Sequence, residues 1–404
     1  MARDSLYPDS VKPGKPILSE LPTGWKRSSL KNCLNVEARK ADIKNDHEYD
    51  LVTVKRSRGG VVRREHLKGK DISVKSQFFI NEGDFLISKR QIVHGACGLV
   101  PKELEGSIVS NEYCVFTGKP GFYLPYIEYL AETLYFQQTC FHSSIGVHIE
   151  KMIFKLDRWF KWSFNIPPIF EQKRIAQILS TWDKAITTTE QLLYNSQQQK
   201  KALMQQLLTG KKRLLDKNGV RFCGEWRFLI FEDAFKVANK KSAQVKSSDY
   251  LATGSVPVVD QGKQLIAGYC DNDERYTNVP VIIFGDHTRC LKWVDFEFCP
   301  GADGTQVLDT KEFLDKKFGY YLLCHTDIPN LGYSRHMREL KEKDFRVPVD
   351  MAEQQKVAAV LTAADQEISA LQQKSDALKQ EKKALMQQLL TGRRRVKIDN
   401  KEVA

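Results

Sequence analysis

The 404-residue sequence predicts an α+β fold with an internal repeat: two globular heads of short strands and turns, alternating with two long helices. Three observations predict it. The stretch KKALMQQLLTG occurs twice, at Lys200–Gly210 and at Lys382–Gly392, 182 positions apart. Aligned without gaps, Glu171–Gly210 and Glu353–Gly392 share 19 of 40 residues, which marks a duplication. Its period far exceeds the roughly 20–50 residues of a solenoid unit, so the repeated object is a whole domain plus a long segment. Both segments carry a heptad stripe, whereas the regions between them hold short β-type runs.

The stripe reads as helix pairing. In the second copy Val357, Leu361, Ala364, Ile368, Leu371, Leu378, Leu385 and Leu389 fall on a 4-3-4-3 spacing, interrupted at Ser375 and Lys382. The first copy places Ile175, Leu179, Trp182, Ile186, Leu193, Leu203 and Leu207 in the same way, interrupted at Thr189, Ser196 and Lys200. A narrow apolar seam sustained for about five heptads is a coiled-coil pattern, and the other copy is the matching partner. Pro167-Pro168 and Pro348 precede the helices, and Asp350 with Glu353 has capping-box spacing. Gly210 and Gly392 suit left-handed ends, and the cations that follow, Lys211-Lys212-Arg213 and Arg393-Arg394-Arg395, complement the helix dipole. A rod of about 38 residues is roughly 55 Å long.

These marks divide the chain into an N-terminal segment (1–20), a first head (21–168), a central helical region (169–213), a second head (222–348) and a C-terminal helical region (349–395). Each head opens on a Gly and a Trp, in LPTGWKRSSL at Leu21 and FCGEWRFLIF at Phe222. Asp84–Ser88 and Val279–Phe284 read as strands, and beyond the openings the heads hardly resemble each other.

Composition narrows the function. A net charge of +12 favours a polyanionic partner, with nucleic acid the leading candidate. The nine cysteines never form CxxC, which argues against a zinc ribbon and a secreted disulfide framework, and for reduced thiols in a cytoplasmic protein. No run has the length of a membrane helix, and the N-terminus lacks the apolar run of a signal peptide. There is no GxxxxGK[ST] phosphate loop, no HExxH and no convincing histidine ligand cluster, so neither a catalytic residue nor a metal site is assigned.

Cationic and polar clusters beside turns do occur in both heads. The first head carries Lys55, Arg56 and Arg58, then Arg63 and Arg64, then Lys89 and Arg90 leading to His94. The second carries Lys263, then His287 and Arg289 with Lys292, then Arg335, His336 and Arg338 in the run Tyr333–Arg338. Such side chains on loops grip phosphates and read base edges, and they are the candidate DNA contacts.

Taken together, the Leu-Pro-x-Gly-Trp opening, GDFLISKRQIVHGACGLVPKELEGSIVSNEY (Gly83–Tyr113), PVIIFGDHTR (Pro280–Arg289), the Glu-Gln pairs at Glu171-Gln172 and Glu353-Gln354, and the two MQQLLTG ends resemble the specificity (S) subunit of type I restriction–modification enzymes. The resemblance covers about Leu21 to Arg395. It implies two target recognition domains separated by two long antiparallel helices in a coiled coil, with pseudo-two-fold symmetry. It implies an asymmetric bipartite DNA target, one half-site per domain, and no catalytic residue or bound cofactor in this subunit. The implied partners are two modification (methyltransferase) subunits that use S-adenosylmethionine and restriction subunits that use ATP and Mg²⁺.

Overall fold

A computed structural model describes residues 15–330, 332 and 334–396; most of the 1–20 segment, and Tyr333, lie outside the described residues. Contacts divide the chain into two compact units. The first runs to Thr188 and resumes at Ser375, and the second is Thr189–Lys374. The division passes through both long helices rather than at their ends, because each half-helix contributes to the core of one head.

In the first unit a four-stranded antiparallel sheet is formed by β1 (Leu34–Glu37), β2 (Phe85–Ser88), β3 (Cys97–Leu99) and β4 (Tyr113–Gly118), in the order β1-β4-β2-β3. All four residues of β2 are buried. Phe85 and Ile87 enter an aromatic-rich core with Phe116 and Trp159, while Leu86 faces a second core with Val52 and Val109. Burial on both faces explains why this strand reads as a continuous apolar run. The first long helix, α1 (Ile169–Leu207), follows.

The second unit repeats the sheet with β5 (Phe235–Val237), β6 (Val281–Gly285), β7 (Leu291–Val294) and β8 (Thr305–Thr310), in the order β5-β8-β6-β7. It ends in α2 (Met351–Leu390). Each helix is fed by an antiparallel strand pair: Lys26–Ser29 with Ser163–Ile166 before α1, and Trp226–Ile230 with Asp344–Pro348 before α2. The heads differ in their accessory sheets, which have five strands in the first and three in the second.

The apolar stripes pack as the heptads require. In the first unit Ile175 and Leu179 of α1 share a core with Leu385 and Leu389 of α2. In the second, Leu203 and Leu207 of α1 share a core with Val357 and Leu361 of α2. Start meets end in each unit, so the paired segments run antiparallel. Trp182, Ile186, Leu193, Ala364, Ile368, Leu371 and Leu378 are half-buried along the seam. The interruptions belong to it as well. Thr189, Ser196 and Ser375 are buried, and the two lysines form matched ion pairs: Lys200 with Asp365 at 2.5 Å, and Lys382 with Asp183 at 2.6 Å. Each lysine also lies over a tyrosine ring, Lys200 on Tyr321 at 5.5 Å and Lys382 on Tyr129 at 5.6 Å.

The helix ends form a repeated joint. Gly210 (φ +72°) and Gly392 (φ +69°) adopt the left-handed conformation. Lys212 N–H then donates to Gln206 C=O at 3.0 Å, and Arg394 N–H to Gln388 C=O at 3.1 Å, closing the last turns. A Cβ on Gly210 would meet the Trp226 ring at 3.2 Å, and Gly392 lies against Pro22 and Trp25, so the Gly-Trp openings and helix ends are one packed unit. Arg395 Nε donates to Glu171 Oε2 at 3.0 Å while its Nη2 reaches Oε1; Arg213 makes the same fork with Glu353, Nη2 to Oε2 at 2.5 Å. Both glutamates are 1% exposed. The last cation of each cluster therefore neutralises a buried carboxylate at the start of the other helix, a sharper role than dipole compensation. The capping box is realised only in part: Asp350 accepts from Ala352 N–H at 2.8 Å, but Glu353 is taken by Arg213.

Removing one arginine strands a buried carboxylate. Arg395→Ala is expected to lower stability by about 2–4 kcal/mol in urea unfolding at unchanged m-value, as is Arg213→Ala. A loss below about 1 kcal/mol for both would show that the joints are not cooperative supports.

Candidate nucleic-acid interface

One cation-bearing loop recurs at the corresponding connection of the sheet in each head. The loop joining β2 to β3 carries Lys89, Arg90 and His94, and the loop joining β6 to β7 carries His287 and Arg289. In sheets of the same order, these are the same loop.

In the first head this loop docks on the turn at Lys55–Gly60. Ser57 N–H donates to His94 C=O at 2.7 Å and Arg58 N–H to Gly95 C=O at 2.9 Å. Ser57 (φ +54°) and Arg58 (φ +57°) hold left-handed backbone that such residues rarely adopt, so the docking fixes a strained turn. Arg56 bridges the loops, donating to Gln91 Oε1 at 2.8 Å and pairing with Glu150 at 2.7 Å. Lys89 Nζ donates to Asn111 C=O at 2.5 Å, and Arg90 pairs with Glu112 at 2.6 Å. Lys55 is exposed. Arg63 and Arg64 lie on the neighbouring ribbon, pairing with Asp50 at 2.8 Å and Glu65 at 3.4 Å. Most of these cations are thus oriented by an acidic or carbonyl partner while keeping about half their surface in solvent.

Two histidines titrate in opposite senses. Exposed His66 sits between Asp50 (Nδ1, 2.6 Å) and Glu48 (Nε2, 3.2 Å), whose hydrogen bonds raise its pKa. His94 is lowered by burial and by the Arg56 charge, against Glu150. Its Nε2 lies 3.1 Å from Glu150 Oε1 but off the hydrogen-bonding direction. His94 therefore favours the neutral imidazole, which can donate or accept but attracts phosphate weakly.

In the second head three segments meet. His287 N–H donates to Gln261 Oε1 at 3.1 Å, and Thr288 Oγ1–H donates to Gln261 C=O. His287 Nδ1 is 3.1 Å from Ser334 C=O. Asp286 accepts from Met337 N–H at 2.7 Å through its side chain and from His336 N–H at 2.8 Å through its carbonyl. Arg289 (φ +60°) donates to Ile328 C=O at 2.8 Å. Lys263, Arg335 and Arg338 are exposed.

Two candidates lie inside the head. Lys292 has 5% of its side chain exposed, with Nζ donating to Asp260 C=O at 2.7 Å, and burial lowers its pKa. His336 is fully buried, with Nδ1 2.9 Å from Asp286 C=O. Both brace the loops rather than offering a charge to a partner. Sequence reading passed over Gln91, Glu150 and Gln261, the groups that bridge the loops; a lone amide or carboxylate carries no signal until the fold brings its partner close.

Among the described residues no three His, Cys, Asp or Glu side chains are grouped to hold a metal, and no helix is long and apolar enough to cross a membrane.

The sheet order β1-β4-β2-β3 recurs as β5-β8-β6-β7, and in each unit the corresponding connection carries cations. Residues 22–195 match the type I restriction modification DNA specificity domain. The chain is similar to the EcoR124I/EcoR124II specificity subunit of Escherichia coli, 37% identical over 86 residues, which are 20% of this chain and 21% of that one. It is also similar to the putative MjaX specificity subunit of Methanocaldococcus jannaschii, 28% identical over 253 residues, 57% and 59% of the two chains. The matched stretches thus span about a fifth and three fifths of these curated relatives. In fold, the type-I restriction-modification system S subunit from M. genitalium aligns with TM-score 0.60 at 13% identity, covering 96% of this chain and all of that one. A chain from a structure of type I R-M complex assembly aligns with TM-score 0.53 at 16% identity, covering 92% and 99%.

Burial separates the candidates by stability. Lys292→Ala is expected to cost about 2–3 kcal/mol in urea unfolding, while exposed Lys263→Ala stays within about 0.5 kcal/mol; equal effects would contradict this assignment. An NMR titration should place His66 above and His94 below the ordinary histidine value of about 6.5. The sign follows: charged His66 contributes stability at low pH that fades as pH rises through its raised pKa, and neutral His94 contributes at high pH and loses it as pH falls. Asp50→Asn should bring His66 down; an unmoved midpoint would refute the carboxylate as cause.

Proposed function

We propose that this chain is the DNA-reading, non-catalytic subunit of a type I restriction–modification complex, binding an asymmetric bipartite target with one half-site per head. The observation that carries the reading is the shared loop: the same connection of the same sheet is cationic in both heads, yet its sequence differs between them. Common placement gives both heads one way to approach the duplex, and different side chains give each its own half-site. Arg56, Arg58, Arg63, Arg64, Lys89 and Arg90 supply phosphate and base contacts in the first head, and Lys263, Arg289, Arg335 and Arg338 in the second, with His94 and His287 as further hydrogen-bonding groups. Lys292 and His336 hold these loops in place.

The repeated helices serve as scaffold and ruler. At 1.5 Å per residue, the 39 residues of α1 make about 58 Å of rod, enough to hold reading heads about one DNA turn apart. The rods and head flanks dock two modification subunits, which bring S-adenosylmethionine, and restriction subunits, which bring ATP and Mg²⁺. The complex works in the cytoplasm.

Mapping methylated motifs in a host with and without this gene tests the reading. The expected result is one asymmetric motif, split by unread bases, that appears only with the gene; no new motif would overturn it. A heptad inserted in both helices, beside Ser196 and Glu367, adds about 10 Å of rod and should lengthen the unread spacer by about three base pairs with both half-sites kept. An unchanged spacer would mean that the rod does not set the distance. Affinity should fall steeply with salt, and removing a phosphate-contacting arginine such as Arg90 should reduce the log–log slope by about 1.

A further inference from the structure

One face of the second unit lies bare where the first unit covers its counterpart. In the first unit Arg395 Nη1 donates to Thr23 C=O at 2.5 Å, and in the second Arg213 Nη2 donates to Gly224 C=O at 3.0 Å. These bonds set Thr23 level with Gly224 and Trp25 level with Trp226, so Arg27 corresponds to Phe228. Their cross-strand partners, Asn165 and Arg346, correspond as well. Over the first ribbon the chain lays a segment of its own. Asn165 Nδ2 donates to Ser19 C=O at 3.1 Å and to Glu20 C=O at 3.0 Å, and Arg27 Nη2 donates to Ser19 C=O at 3.1 Å. Asn165 is left 6% exposed.

In the second unit the corresponding residues, Val220 and Arg221, are turned away into a hairpin. Asp216 N–H donates to Val220 C=O at 2.7 Å and Phe222 N–H to Leu214 C=O at 3.0 Å. The Asp216 carboxylate accepts from the N–H groups of Asn218 and Val220, each at 2.8 Å. The ribbon they leave alternates: Leu229, Phe345 and Val347 enter the core, while Phe228, Ile230, Asp344 and Arg346 face outward. Phe228 is 75% and Ile230 52% exposed, and large apolar side chains grouped in solvent mark a contact surface. Among the described residues Asp344 and Arg346 form no ion pair; Arg346 lies 5.6 Å from the Trp226 ring centroid.

This outer face is its own complement. Phe228 stands across the ribbon from Arg346, and Ile230 from Asp344. A two-fold axis lying across the strands, between these two rows, sets each Phe228 against Ile230 of the other copy. The same axis sets each Arg346 against Asp344 of the other copy. We infer that the Phe228–Ile230 face binds a second copy of this chain about that axis. Four side chains a copy cover less than the roughly 800 Å² per partner of a standard interface, so the dimer is weak and reversible. Its two ion pairs fix the register more than they add affinity. The face shares no residue with the cationic loops, and its test involves no DNA.

Sedimentation velocity of the full chain, from about 1 to 200 μM, reads the inference; monomer at the low end and dimer at the high end are expected. Phe228→Ser should weaken the dimer about tenfold or more. Arg346→Asp and Asp344→Arg each place like charges opposite one another, so each variant alone should stay monomeric. An equimolar mixture of those two variants should dimerise again, because every Asp then meets an Arg, and this also shows that both fold. Monomer at every concentration, a dimer indifferent to Phe228→Ser, or a mixture that stays monomeric overturns the inference. Saturable binding of a labelled peptide of residues 15–21 to a chain that stays monomeric would assign the face to an extended segment of another polypeptide, and likewise overturn it.

Discussion

Two arginine–glutamate forks hold the architecture together. Glu171 and Glu353 are buried at the starts of the long helices, where an unpaired carboxylate would be costly. Each is neutralised by an arginine just beyond the end of the other helix, Arg395 and Arg213. The arginines reach that point only because Gly392 and Gly210 turn the chain left-handed after the last helical turn. The Gly-Trp openings of the heads pack on the same glycines, and Trp25 donates to Glu171 at 3.2 Å. Chain reversal, helix pairing and head attachment therefore share one small set of atoms in each unit. That explains why the KKALMQQLLTG copies stay identical while their surroundings drift.

Further along the rods the constraint relaxes. The large apolar side chains of the seam are buried where it meets a head, at Ile175, Leu179, Leu207, Val357, Leu361 and Leu389. Between those points it is half-buried and carries Thr189, Ser196 and Ser375, which pack closely without demanding large apolar partners. The Lys200–Asp365 and Lys382–Asp183 pairs set the register by charge, each under a tyrosine from its own head.

Much of this was legible in the sequence, and what was not has physical causes. The helices, their mutual pairing, the glycine ends and the strands at Phe85–Ser88 and Val281–Gly285 follow from periodicity and local backbone chemistry, which are written in consecutive residues; the antiparallel direction was implied by the family resemblance alone. Thr189, Ser196 and the seam lysines read as breaks because their fitness depends on the facing helix. The duplicated sheet was hidden, since strands of three to six residues keep hydrogen-bond order without keeping side chains. Within the heads, the Gly-and-cation pattern picked out loops that the fold places at the corresponding connection of each sheet. It could not separate exposed Lys263 from buried Lys292, because Asp260 lies thirty-two residues before Lys292 and only the fold joins them.

The central claim is that a duplicated frame carries two independent readers. It is tested most directly by exchanging only the second head, residues 222–348, for that of one of the similar specificity subunits and mapping the methylated motif. The account predicts that one half-site changes while the other half-site and the spacer stay as they were. A change in both half-sites, or a changed spacer with the rods untouched, would contradict it.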